Sequence, residues 1–121
     1  MIKVLVIDDD PDVRTVMNIL MKKQGYEVET ASTKDEAFEK IKSFTPSVIL
    51  LDVLLSGADG RDICHQIKSE PLTKHIQVIM FSAHPGAADN IESYGADHFI
   101  TKPIKTGLLL EKLERWVNEI K

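Results

Sequence analysis

At 121 residues the chain has room for one compact domain with a substantial core and little space for a second. Its composition, 43% hydrophobic and 28% charged, is that of an ordinary globular protein, and a net charge of -4 argues against gripping nucleic acid through its phosphates, which needs a basic footprint. A single cysteine, Cys64, excludes an internal disulfide and fits a reducing cytoplasm, and no stretch approaches the roughly 18 apolar residues of a membrane span.

Met1-Ile2-Lys3 leads directly into the apolar run Val4-Leu5-Val6-Ile7, so no cleavable signal is visible and the expected location is cytoplasmic. That run reads as a strand, and it ends in Asp8-Asp9-Asp10. Pro11 suits the first position of a helix, with Asp10 before it as N-cap. The helix carries Val13, Val16, Met17, Leu20 and Met21 on one side and closes near Gly25. Tyr26 to Thr30 alternates weakly, as a less buried second strand does. Thr33-Lys34-Asp35-Glu36 has capping-box spacing and opens a helix with Ala37, Phe38 and Ile41 on its apolar face.

After Pro46, the uninterrupted run Val48-Ile49-Leu50-Leu51 predicts a strand buried on both faces, and Asp52 ends it. A loop of small and turn-forming residues follows, with Gly57 and Gly60. Arg61 to Ser69 forms a helix that buries Ile63, Cys64 and Ile67, and Pro71 stops it. Ile76 to Phe81 is the fourth strand, ending at Ser82-Ala83; a short helix reaches about Tyr94 and is capped by Gly95. His98-Phe99-Ile100-Thr101 is the fifth strand, ending at Lys102-Pro103. The last helix carries the stripe Leu109, Leu113, Trp116, Val117 and Ile120. Of the adjacent Leu108, Leu109 and Leu110, one must be exposed or cover a partner. Strand and helix alternate five times across short connections. The pattern predicts one α/β domain over residues 1–121: an open, doubly wound, five-stranded parallel sheet with five helices and the flavodoxin-like strand order 2-1-3-4-5.

In such a sheet the carboxyl ends of the strands share one edge, so Asp8, Asp9, Asp52, Ser82 and Lys102 should meet in one crevice. Asp52 alone would pass for a turn residue. A cluster of three carboxylates would not, because a like-charged pair at about 4 Å costs about 4 kcal/mol at an effective dielectric near 20. A hard divalent cation makes the cluster favourable, and oxygen-only ligands suit Mg²⁺ better than zinc. Lys102 adds a positive point charge and Ser82 a hydroxyl donor; cation, lysine and hydroxyl together match the needs of a phosphoryl group in transfer. Asp52 is the candidate nucleophile.

The ordered set Ile7-Asp8-Asp9, Leu51-Asp52, Asp59-Gly60, Phe81-Ser82-Ala83, Gly95-Ala96-Asp97 and Lys102-Pro103 resembles the receiver domain of bacterial two-component response regulators, chemotaxis regulators among them, along the whole chain. The resemblance implies that Asp52 accepts phosphate from a sensor histidine kinase or a histidine phosphotransfer protein, in a self-catalysed transfer and hydrolysis rather than as a conventional enzyme. It further implies that Asp9, Asp52 and the backbone carbonyl of Leu54 ligate Mg²⁺, with Asp8 acting largely through water. Ser82 and Lys102 would contact the phosphoryl oxygens, and Phe99 would be the aromatic that follows phosphorylation. No direct nucleic-acid or membrane contact is implied.

Four positions depart from that family's usual pattern. Ser56 stands where proline is usual, Leu54 is apolar where many relatives are polar, and Lys105 replaces an acidic cap and leaves Thr106 as the expected N-cap. The segment from Ser82 to Gly95 is also about two residues short by comparison with the usual family pattern. The last departure bears on the output surface; the others leave the chemistry intact. His84 lies near the crevice, while the four histidines form no i,i+4 pair and no zinc cluster. Two alternatives stand beside the receiver: a degenerate receiver that binds partners without phosphate, and a haloacid-dehalogenase-type phosphatase using the Asp8-x-Asp10 pair. The chain reads equally as a stand-alone regulator or as the receiver part of a longer protein.

Overall fold

The computed structural model describes residues 2–55, 57–83, 86, 91–102 and 105–119. Five parallel strands, β1 (Lys3–Ile7), β2 (Glu27–Ala31), β3 (Val48–Asp52), β6 (Gln77–Ser82) and β7 (His98–Thr101), form one sheet in the order β2-β1-β3-β6-β7. This is the 2-1-3-4-5 order the sequence pattern predicts. A second, two-stranded antiparallel sheet, β4 (Leu54–Leu55) with β5 (Ala58–Asp59), lies in the stretch read from sequence as a plain loop. The described residues include four helices of ten residues or more, α1 (Pro11–Lys23), α2 (Lys34–Phe44), α3 (Gly60–Ser69) and α5 (Thr106–Glu119), and the short α4 (Ile91–Tyr94).

Two apolar layers sandwich the sheet, as its two-faced strands require. Leu5, Ile7, Ile49, Leu51, Val78 and Met80 point to one side, where Ala37 and Ile41 of α2 and Ile63, Cys64 and Ile67 of α3 cover them. Val4, Val6, Val48, Leu50, Ile79 and Phe81 point to the other, under Met17 and Met21 of α1 and Leu109, Leu113 and Val117 of α5. All of β3 is buried, so its unbroken apolar run follows from coverage on both faces. Each fully buried side chain of this kind contributes about 1.5–3 kcal/mol. His98 also stacks on Trp116, ring centroids 4.0 Å apart, which fastens α5 to β7.

The capping signals resolve with two adjustments. Asp10 caps α1 by accepting from the Asp12 amide at 2.9 Å, and Gly25 follows the helix at φ 88°. Thr33 accepts from the Glu36 amide, but Glu36 reaches back to Ser32 rather than to Thr33. At α5, the Lys105 carbonyl already accepts from the Leu109 amide, so Lys105 holds the cap position and Thr106 is the first helical residue, not the N-cap. On α1 the apolar stripe is wider than the face it buries: Met17 and Met21 are covered, while Val16 stays 48% exposed. Leu108 is the exposed member of the leucine triplet.

Candidate functional site

Asp8 directly follows β1 and is completely buried. Burial of a carboxylate demands partners, and Asp8 has one on every side. Its amide donates to the Ala31 carbonyl at 3.1 Å, and its Oδ1 accepts from the Asp10 amide at 2.9 Å. Its Oδ2 lies 3.3 Å from Lys102 Nζ, and its carbonyl accepts from Arg14 Nη1 at 2.8 Å. Nothing in the sequence reading singled out Arg14. The available signal was an arginine in the first turn of a helix that starts within reach of an acidic run.

Asp52, at the end of β3, is 6% exposed. Carboxylate oxygens of Asp8, Asp9 and Asp52 all lie within 4.8 Å of one another, so the three acids that the topology should gather do meet. Asp52 Oδ2 is 3.5 Å from Lys102 Nζ, and Oδ1 faces the Leu54 amide at 3.4 Å. Burial, and after it the charge of neighbouring Asp8, push the Asp52 carboxyl up to about 6 against the pull of Lys102. Lys102 also lies 4.9 Å from the centroid of the Phe81 ring, an added hold on its ammonium. One ammonium therefore bridges two of the three carboxylates.

Ser82 closes β6, buried, and its carbonyl accepts from the Lys102 amide at 2.9 Å, which ties the fourth and fifth main strands together at this edge. Phe99 is partly buried and packs against the layer under α2 and α3. Leu54 is 58% exposed at the start of β4. Asp10 is spent on capping α1 and is not part of the acidic trio, so the Asp8-x-Asp10 pair a phosphatase would need is not assembled. Ser56, His84 and Ile120 lie outside the described residues. Cys64 is buried on α3 and its thiol is pushed up to about 12 by burial, which makes it an inert core residue.

Gly60 shows why a glycine must follow Asp52 at this spacing. Its amide donates to the Val53 carbonyl at 2.7 Å, and a Cβ there would overlap the Asp52 backbone carbonyl. The start of α3 is thereby pressed against the strand end that carries Asp52. Asp59 in turn caps α3 through the Arg61 amide.

Among the described residues the donor set is three carboxylates with neither histidine nor cysteine, which fits a hard oxygen-seeking divalent cation. A trio of this kind is typical of the Mg²⁺ site of receiver domains. An open parallel sheet with this acidic cluster and a lysine at its carboxyl edge defines a signalling domain of the two-component type. The chain belongs to the response regulator receiver domain family, which it matches over residues 4–114.

Relatives of known sequence and structure agree. The chain is 35% identical over 114 residues to the response regulator PleD of Caulobacter vibrioides, covering 92% of this chain and 25% of PleD. It thus spans about a quarter of the length of the curated relatives it matches. The chemotaxis protein CheY4 of Vibrio cholerae superposes with a TM-score of 0.88 at 28% identity, over 95% of this chain and 98% of that one. The receiver domain of NtrX from Brucella abortus superposes with a TM-score of 0.84 at 32% identity, over 93% and 95% of the two chains. Among the described residues, no helix is long and apolar enough to cross a membrane.

Proposed function

We propose that Asp52 is the phosphoacceptor of a two-component pathway and that its phosphorylation, dependent on Mg²⁺, switches the domain between partner-binding states. The observation that carries this reading is the meeting of Asp8, Asp9 and Asp52 at the carboxyl edge of the sheet, with Lys102 bridging Asp8 and Asp52. The phosphodonor is a phosphohistidine on a sensor kinase or a phosphotransfer protein, the partner class that a receiver domain implies.

Asp9, Asp52 and the Leu54 carbonyl would hold Mg²⁺, with Asp8 acting through water. The ion would neutralise the cluster and draw charge from the phosphoryl oxygens. Asp52, with its carboxyl pushed up to about 6, is still ionised at neutral pH and offers an oxygen lone pair to phosphorus. The new O–P bond forms as the donor's P–N bond breaks, and the departing imidazole keeps the electron pair and takes a proton from solvent. Lys102, which bridges Asp8 and Asp52 beforehand, exchanges part of that contact for the incoming phosphoryl oxygens. Ser82 donates its hydroxyl to the same group, and Phe99 turns toward the space so opened.

The test is the mass of the protein after incubation with a small phosphodonor and Mg²⁺. One phosphoryl addition is expected in the parent, with none in Asp52→Asn or in the presence of a chelator. An Asp52→Asn protein that gained the same mass at the same rate would sink the assignment.

A further inference from the structure

Residues 8 to 14 form a closed ring of hydrogen bonds. The Asp10 amide donates to Asp8 Oδ1, the Asp12 amide to Asp10 Oδ1, and the Arg14 amide to the Asp10 carbonyl. Arg14 then closes the ring through its side chain, Nη1 donating to the Asp8 carbonyl at 2.8 Å. That carbonyl is one end of a planar peptide unit whose other end is the amide and Cα of Asp9. Clamping the carbonyl therefore fixes the plane from which Asp9 departs, and so the direction in which its carboxylate is offered to Asp52. Asp8 itself needs no such help, since Ala31, Asp10 and Lys102 already hold it.

We propose that Arg14 is a positioning residue for the cation site, acting through the Asp8–Asp9 peptide rather than through its charge. The proposal rests on the reading of the acidic trio as a Mg²⁺ site and goes beyond it in assigning a residue outside the trio. Charge and position make opposite forecasts here. A guanidinium beside a cation site repels the cation, so on charge alone its removal tightens binding. As a clamp, its removal loosens Asp9 and weakens binding, by roughly tenfold as for other groups that orient metal ligands.

Calorimetric titration with Mg²⁺ alone separates the two in the parent, Arg14→Met and Arg14→Lys. Met keeps the apolar stem without donors or charge; Lys keeps the charge and a single, less directed donor. Arg14→Met should bind roughly tenfold more weakly and Arg14→Lys about threefold more weakly. Urea unfolding without metal, run beside the titrations, identifies a variant that has merely lost its fold. If Arg14→Met does not fold, Arg14→Lys decides alone: weaker binding at retained charge supports the clamp. Binding that is unchanged or tighter in the folded variant overturns it. A parent that takes up no Mg²⁺ overturns the site reading and this proposal together. A parent whose binding is lost in Asp9→Asn and kept in Arg14→Met overturns only the role of Arg14.

Discussion

At the amino edge of the sheet, opposite charges meet one to one. Lys68 at the end of α3 places its Nζ 2.6 Å from Asp97 Oδ2, 2.6 Å from the Ile76 carbonyl and 3.3 Å from the Lys74 carbonyl, which uses all three of its donors. The same Asp97 oxygen accepts from the Val78 amide at 2.9 Å, so the pair ties α3 to the starts of β6 and β7. At the carboxyl edge three carboxylates crowd within 4.8 Å, and Lys102 bridges two of them, Asp8 and Asp52. Both edges belong to the same strands, and both use acids from the motif set of the family. The first edge is satisfied and holds the fold together. The second gathers three carboxylates of like charge within one crevice, an arrangement that suits a divalent cation.

The comparison predicts opposite signs for removing one charge at each edge. Lys68→Met strips Asp97 of its cation and leaves two carbonyls without their donor. The pair is only partly exposed, at 18% for Lys68 and 34% for Asp97, which puts the expected loss between those of buried and surface pairs. Unfolding by urea should show a destabilisation of about 2–3 kcal/mol. A loss below about 0.5 kcal/mol would place Lys68 among ordinary surface pairs and break the contrast.

Asp52→Asn should do the reverse in metal-free buffer. The folded-state pKa of Asp52, about 6, lies above its value in the unfolded chain, so the folded protein keeps the proton to higher pH. Stability from this group is therefore present below pH about 4, declines as pH rises through the window to about 6, and stays lower above it. Asparagine carries no charge and escapes that decline. The variant should exceed the parent by at most about 3 kcal/mol at pH 7 and lose most of the advantage at pH 4. An advantage that did not vary with pH would mean that packing, not charge, separates the two proteins. Saturating Mg²⁺ should narrow the gap at pH 7, because only the parent gains from the ion.

The edges also differ in how far the sequence announces them. Asp8, Asp9, Asp52, Ser82 and Lys102 each follow an apolar run, and the parallel topology alone brings them together, so the acidic cluster was legible. Both apolar layers were legible because period and run length report burial, whereas the strand order came by analogy with flavodoxin-like sheets rather than from periodicity. The β4–β5 hairpin was not, because two-residue strands are too short to show a period; Ser56-Gly57 between Leu55 and Ala58 was the turn signal available. The exposure of Val16 escaped because apolar spacing marks a helix face without saying how much of that face a partner covers. The reach of Arg14 to the Asp8 carbonyl depends on where a long side chain lands, which no spacing rule records.

The smallest expected effect concerns Leu54, where the exposed side of the carboxyl edge meets water. Its amide lies 3.4 Å from Asp52 Oδ1, so its side chain begins at the mouth of the site, and it is 58% exposed. Hydrolysis of an acyl phosphate on Asp52 needs a water in line with phosphorus, and a side chain at this position admits, orients or blocks it. Leucine has nothing with which to hold a water. Leu54→Asn supplies an amide that does, on a backbone the hairpin keeps in register with Asp59. Decay of the phosphorylated protein, followed by mass after the donor is removed, should be roughly threefold to tenfold faster in the variant, under about 1.4 kcal/mol of barrier. Because the exposed leucine leaves the trio and Lys102 untouched, the rate of phosphate uptake should stay at the parental value. A variant that decays no faster than the parent would remove leucine as the shield. A variant slowed in uptake as well would show that the hairpin, and not the side chain at its start, sets access to Asp52.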